Sequence, residues 1–351
     1  MVKILYGIGG QGMGHATRSL VVIEELQKNN EVSVITGDRP YAFLHERFKN
    51  VSQIKIHKIH TLHQKYKEDQ TYHLGTVASN IKSFPKYTTS FRKVRAAVKS
   101  FKPDLIITDF EPFTAMIANQ KRMPLLSIDN QHIMVKTSLQ MRKSPKQEAL
   151  ATKMVVRSFV PRADEFIITT FFYPKKVSKH AHLVPPILRK QILNARPKQG
   201  THVLVYQTSQ TNMDILKTLM KTDQKYIVYG YGAKGLHKNL MFKAFNEKGF
   251  FSDLSSAKAV ITNGGFSLMS EAIALHKPVL SQPLKKDFEQ FINSYFLQKC
   301  RYGKMSETVD KKSLNRFFDM IPKYQSALKE YTQEGNKELF KKLYAWITLR
   351  T

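Results

Sequence analysis

Val260-Ile261-Thr262-Asn263-Gly264-Gly265-Phe266-Ser267-Leu268-Met269-Ser270-Glu271-Ala272 reads as a short β-branched run, a glycine pair and the opening of a helix. A strand that passes through glycines straight into a helix is the anion-binding unit of parallel α/β sheets. Glycine lets backbone approach a ligand closely, and the first N–H groups of the helix have no partner within it. The N–H groups around Gly265, Phe266 and Ser267 are therefore expected to face a diphosphate. Glu271 lies four residues past Ser267, one turn into the helix and on the same side. A carboxylate there is poorly placed against phosphates but well placed to accept hydrogen bonds from ribose hydroxyls. Its alternative role is to complement the helix dipole.

Further along, His276 stands where a glycine would be expected, ahead of Lys277-Pro278-Val279-Leu280-Ser281-Gln282-Pro283. Then comes Lys285-Lys286-Asp287-Phe288-Glu289-Gln290-Phe291-Ile292-Asn293, in which Gln290 and Asn293 share a helical face and can bond sugar hydroxyls. At the other end of the chain a second glycine loop, Gly7-Ile8-Gly9-Gly10-Gln11-Gly12-Met13-Gly14-His15, follows the first strand directly. Gly7, Gly9 and Gly12 satisfy the dinucleotide spacing, with Asp38 as a possible ribose acid, so an NAD-binding Rossmann protein is one alternative. The longer run through Gly10, Gly12 and Gly14 to His15 does not belong to that pattern. It puts an imidazole, able to take a proton near neutral pH, beside a phosphate-friendly turn.

Strands are expected at Val2–Ile8, 31–36, 53–59, 104–109, 124–129 and 165–170, and in a second series at 202–207, 226–229, 259–262 and 278–281. Helical patterns separate them, among them 41–48, 77–101, 112–121 and 145–159. Residues 60–76 read as a loop or lid. This alternation gives two α/β domains with parallel sheets. Prolines and positive charge around 185–200 mark the boundary: a first domain over 1–190, a second over 200–330, and a terminal helix of about 330–351 that packs back on the first. Asp109 ends the strand before Phe110-Glu111, and Asp129 ends the strand before Asn130-Gln131-His132. Ligands gather at such strand ends, so Asp109, Asp129 and His132 are candidates for the acceptor side, with loop capping as their plainer role.

Charge is the outlying property. The 351 residues hold 56 Lys+Arg against 27 Asp+Glu, a formal net charge of +29. No acid occurs between Asp69 and Asp104 or between Glu165 and Asp214, whereas 251–300 carries five basic and four acidic residues. Such a field favours anionic partners: acidic lipid, a polyanionic polymer or nucleic acid. Phe84, Tyr87, Phe91 and Val94 interleave with the cations of 82–102, as in an interfacial helix or an ordinary amphipathic one. A lone Cys300 excludes an internal disulfide and cysteine-built zinc. His57, His60, His63 and His73 have no cysteine and no adjacent acid cluster to join them, and no metal is expected. No apolar run nears the roughly 20 residues of a membrane span, and the N-terminus turns glycine-rich too early for a signal peptide. The cytosol is the expected compartment.

The loop ending in His15, the strand–Gly264-Gly265–Glu271 segment and the order Pro278, Pro283, Glu289-Gln290, Asn293 together resemble nucleotide-sugar glycosyltransferases of the GT-B fold. The likeness runs toward the branch of MurG and the diacylglycerol glucosyltransferases, and is dense over 1–20 and 250–297. It implies two Rossmann-like domains facing a central cleft, acceptor in the first and donor in the second. It implies that Gly264 to Ser267 lie by the diphosphate, Glu271 on the ribose, Gln290 at the transferred sugar with Asn293 nearby, and Phe251 in the segment that reads uracil. His15 matches a loop histidine acting as base or transition-state helper, with Asp109 next in line as base. The function implied is inverting transfer from a UDP-sugar, with no cofactor, to a membrane-associated or anionic cell-envelope acceptor on the inner membrane face. No D-x-D occurs, so leaving-group charge falls to helix ends and basic side chains. A DNA-modifying glycosyltransferase is the other alternative.

Overall fold

The computed structural model describes residues 1–62, 66–67, 70–71, 82–142, 144–207 and 213–351. They form two compact units: Met1–Lys65 with Tyr72–Ile187 and Glu334–Thr351, and Tyr66–Thr71 with Leu188–Gln333.

The first unit is built on seven strands: β1 (Val2–Ile8), β2 (Asn30–Gly37), β3 (Ile54–Ile59), β6 (Leu105–Asp109), β7 (Leu125–Asp129), β8 (Glu165–Thr169) and β9 (Ala181–Val184). Between β3 and β6 come the two-residue strands β4 (Tyr66–Lys67) and β5 (Gln70–Thr71), which pair antiparallel. The large sheet runs β3-β2-β1-β6-β7-β8-β9, and every pairing is parallel. Helices cover both faces, which is why β1, β6 and β7 are almost continuously apolar and buried rather than alternating. The helix Lys337–Thr348 returns to this unit and buries Leu339, Leu343, Trp346 and Ile347 in the same core as Ile4, Tyr6, Val22 and Leu26. Each such side chain contributes about 1.5–3 kcal/mol.

In the second unit the strands are β10 (His202–Tyr206), β11 (Lys225–Tyr229), β12 (Gly235–His237), β13 (Leu240–Phe242), β14 (Ala259–Thr262), β15 (Val279–Ser281) and β16 (Gly303–Met305). Their order is β12-β13-β11-β10-β14-β15-β16, parallel except for β12 on β13. In both sheets the order reverses beside the first strand. The two switch points therefore lie between β1 and β6, and between β10 and β14, where open α/β sheets take their ligands.

The expected strands fall within one residue of those observed. Six others, β4, β5, β9, β12, β13 and β16, had no expectation; none is longer than four residues, and β4 and β5 fall in the stretch expected as a loop or lid. The helix expected over 77–101 is Phe84–Phe101 in the described part of the chain; 77–81, most of the 60–76 segment, and His63 and His73 lie outside it. His276 has φ 56, so it occupies the left-handed position at the helix end where glycine was expected.

Candidate active site

At the first switch point Gly9 donates its N–H to the Asp109 carbonyl (2.9 Å), binding the loop after β1 to the end of β6. Gly10 has no room for a Cβ against Thr61, and Gly12 has φ 84 and serves as N-cap of the helix Met13–Leu26. Gly14 is in its first turn, which carries no acid and no side-chain cap. The positive end of the helix dipole thus faces this loop with no acid to neutralise it.

One turn into the helix, His15 Nδ1 lies 2.7 Å from Asp109 Oδ1. Asp109 is fully buried. Burial alone would raise its pKa, but the Arg18 guanidinium and then the His15 ring outweigh it and hold the carboxyl below its ordinary range. An ionised carboxylate brings no proton, so Nδ1–H must donate. Arg18 Nη2, 2.8 Å from the same ring nitrogen, must then give its hydrogen to Oδ1. Arg18 Nε (2.7 Å) and Ser19 Oγ (2.9 Å) donate to Oδ2, and Arg18 Nη1 donates to Asn130 Oδ1 (2.6 Å). In the neutral ring this leaves a lone pair on His15 Nε2, which has no hydrogen-bond partner among the described residues. The ring keeps 16% of its surface exposed, enough to meet a substrate. Asp109 itself, reached by no solvent and engaged on both oxygens, orients His15; it is not a free base.

A second couple closes the next strand. His132 Nδ1 donates to Asp129 Oδ2 (2.7 Å), its backbone N–H to Oδ1 (2.9 Å), and Ser127 Oγ to Oδ2 (2.6 Å). Burial opposes ionisation of Asp129, but the His132 charge and these hydrogen bonds bring its pKa down to about 2. Both residues are only 1% exposed. They are loop-closing groups with no direct access to an acceptor, unlike the acceptor-side role expected of them. Phe110, held at φ 56, lies between the couples, its ring 6.3 Å from that of His15 and 6.2 Å from that of His132.

At the second switch point Gly265 caps the helix Phe266–Ala274, with no side-chain hydrogen bond at the cap and no acid in the first turn. Phe266 is buried in the core, and Ser267 is half-buried. Gly264 is required where it stands, because a Cβ would run into the backbone and Cβ of Gln290. Gln290 Oε1 accepts the N–H groups of Gly264 (3.1 Å) and Leu284 (3.1 Å), and Asn293 Nδ2 donates to the Gly264 carbonyl (2.9 Å). Asn293 is therefore a buried clamp on the glycine loop instead of a sugar ligand, while the Nε2 of Gln290 stays available.

Glu271 is 5% exposed and already paired. Its Oε1 accepts from Arg189 Nε (2.9 Å) and Nη2 (2.5 Å), leaving Oε2 without a partner among the described residues. Arg189 also reaches Glu247 Oε1 (3.2 Å) and lies 4.2 Å from the ring centre of half-buried Phe251. Burial raises the Glu271 pKa in spite of Arg189. Among the described residues there is no group of three or more His, Cys, Asp and Glu placed to hold a metal ion, and no helix long and apolar enough to cross a membrane.

The family model described as glycosyl transferase family 1 matches residues 2–322. The chain belongs to this family. It is an enzyme, a glycosyltransferase, and its two seven-stranded units are those of the GT-B fold. Its relatives include an uncharacterised glycosyltransferase of Methanosarcina acetivorans, 23% identical over 333 residues, covering 86% of this chain and 83% of that one. Another from Methanosarcina mazei is 23% identical over 338 residues, 87% of this chain and 85% of the relative. Among solved structures, LpCGTa in complex with UDP superposes with TM-score 0.70 at 14% identity, covering 99% of each chain. MurG of Acinetobacter baumannii gives 0.60 at 14%, covering 96% of each.

Three residues of this glycosyltransferase escaped the sequence. Arg18 is three residues from His15, a spacing that does put both on one helix face. Arg189 lies in the proline-rich boundary and has no local signal. Gln207, directly after β10, is 1% exposed, and neither polar atom of its amide has a partner among the described residues.

Proposed function

We propose that this glycosyltransferase moves a sugar from a UDP-linked donor to a hydroxyl of a membrane-associated or anionic acceptor, with inversion and without a metal. The observation that carries it is the His15–Asp109 couple at the switch point of the first sheet, with Nε2 unpartnered. Nε2 takes the acceptor hydroxyl proton as the oxygen attacks the anomeric carbon. The bond from that carbon to the diphosphate breaks, and UDP leaves with the electron pair. A single displacement inverts the anomeric centre. Asp109 stabilises the imidazolium that forms, as in other carboxylate-oriented histidine bases.

The donor falls to the second unit. The start of Phe266–Ala274, with no acid in its first turn, meets the diphosphate charge through the helix dipole, Glu271 Oε2 accepts from a ribose hydroxyl, and Gln290 Nε2 donates to the sugar. UDP as the nucleotide is supported by LpCGTa, solved with UDP, and by a Phytolacca americana enzyme solved with UDP-2-fluoro-glucose, TM-score 0.67. For the acceptor, the helix Phe84–Phe101 turns Tyr87 and Val94 inward, and its outer face carries its cations with Phe84, Pro85, Thr88, Thr89, Ala96 and Ser100. Lys86, Arg92, Lys93, Arg95 and Lys99 there suit an anionic surface, each contributing about 1 kcal/mol. Arg189, also in a basic segment, is buried in its ion pairs and adds nothing to that field.

Thermal protection by UDP, compared with NAD, GDP and a short DNA duplex, tests the donor assignment. UDP at about 100 times its Kd should add roughly 2.7 kcal/mol. Protection by NAD in place of UDP would overturn it.

A further inference from the structure

A cavity of about 570 Å³ opens at the N-terminal end of β7 and β8, lined by Arg122, Lys136, Arg162, Arg350, Asp164 and Phe166 among others. Asp109 and Asp129 end their strands at the opposite edge of the sheet, and five-residue β7 separates the two edges by about 13 Å. The four cations arrive on four segments: Arg122 closing the helix Pro112–Lys121, Lys136 in the turn Ile133–Lys136, Arg162 three residues past Lys146–Phe159, and Arg350 two past Lys337–Thr348.

One acid answers them. Asp164 Oδ2 accepts the Leu125 N–H (2.9 Å), and its Oδ1 lies 3.9 Å from Arg350 Nη2. Arg122, Lys136 and Arg162 have no carboxylate partner among the described residues. Helix C-termini attract cations, but only within the last turn, which accounts for Arg122 alone. A four-residue helix has little dipole, and Arg162 and Arg350 stand beyond their helices. Lys136 Nζ sits 3.9 Å over the Phe166 ring; burial, and then the charge of Arg157, lowers its pKa from the usual lysine value. A cation penalised in this way gains when an anion enters. Asn119 Nδ2 donates to the Arg162 carbonyl (3.1 Å), joining two walls of the cavity.

We propose that this cavity is a binding site for a phosphate group, either of a free phosphate or of an anionic lipid headgroup, separate from the transfer site. Planar guanidinium groups such as those of Arg122 and Arg162 match phosphate oxygens in pairs, and the volume is that of a small-molecule site.

The test compares wild type, Arg122→Gln/Arg162→Gln, and a charge-matched control, Lys234→Gln/Lys311→Gln, whose lysines are exposed on the second unit. Melting is followed in inorganic phosphate against sodium chloride of equal ionic strength, and sedimentation with phosphatidylcholine vesicles with and without phosphatidylglycerol. Arg122→Lys/Arg162→Lys keeps the charge and guards against a folding defect. Phosphate-specific protection, weakened at least tenfold in apparent affinity in the arginine pair and kept in the control, would establish a free-phosphate site. Vesicle binding that requires phosphatidylglycerol and falls at least tenfold only in the arginine pair would establish a headgroup site. Neither effect, or equal losses in both pairs, would overturn the proposal and leave only the general field of the +29 chain. No outcome depends on UDP binding or sugar transfer.

Discussion

The two units share a strand order that reverses beside the first strand, yet the ends of their central strands are finished in different materials. At the end of β6, charged side chains are locked together: Asp109 is fully buried and takes hydrogen bonds from His15, Arg18 and Ser19. At the end of β14 the surface is mainly backbone, with Gly264 and Gly265 held by the amides of Gln290 and Asn293. On the proposed reading, the preorganised ion cluster fixes one nitrogen for proton transfer, while a helix start with no acid in its first turn receives a large anion. The same topology would then serve chemistry in one unit and binding in the other.

Exchanging the damage between the two units is the sharpest way to break that comparison. His15→Ala should lower turnover by about 10²–10⁴, the usual contribution of a general base, and leave UDP affinity unchanged. Glu271→Ala should do the reverse, weakening UDP binding and leaving Arg189 buried without its main partner. Turnover in single-turnover assays and UDP titration calorimetry separate the two. If both variants lose UDP binding alike, the division of labour is wrong.

A smaller effect concerns the ionised carboxylates of the first unit. Asp129 has a pKa of about 2 against an ordinary 3.8, and Asp109 is also held low. Groups depressed on folding contribute stability that is complete above the unfolded value and lost as pH falls through the folded one. For Asp129 this is about 2 kcal/mol, disappearing between about pH 4 and pH 2. Melting as a function of pH should show the loss, and Asp129→Asn should flatten it while lowering stability at neutral pH.

The smallest expected change is a gain. Gln207 buries an amide that has no partner among the described residues, and its replacement by methionine removes that desolvation cost. Gln207→Met should raise stability by about 1 kcal/mol in a denaturant titration. A clear loss would mean that Gln207 is satisfied in solution.

Much of this was legible before any coordinates. Val2–Ile8, Leu105–Asp109 and Ala259–Thr262 are strands because strands buried on both faces require continuous apolar runs, a local signal. The glycine loops were legible for a similar reason, since close approach and positive φ leave glycine few substitutes. Asp109 and His15 were each visible as strand-end and loop residues, but 94 residues separate them, and nothing local pairs them.

The sequence by itself determined the α/β alternation, the two glycine turns and the excess of positive charge, because each depends on neighbouring residues or on composition. Tertiary structure alone decided which polar groups are free. It closed Asn293 onto the Gly264 carbonyl, buried His132, paired Glu271 with Arg189 across 82 residues, and left His15 Nε2 open. Burial and hydrogen-bond partnership arise from contacts distant in the chain, and they separate a residue that supports the site from one that can act in it.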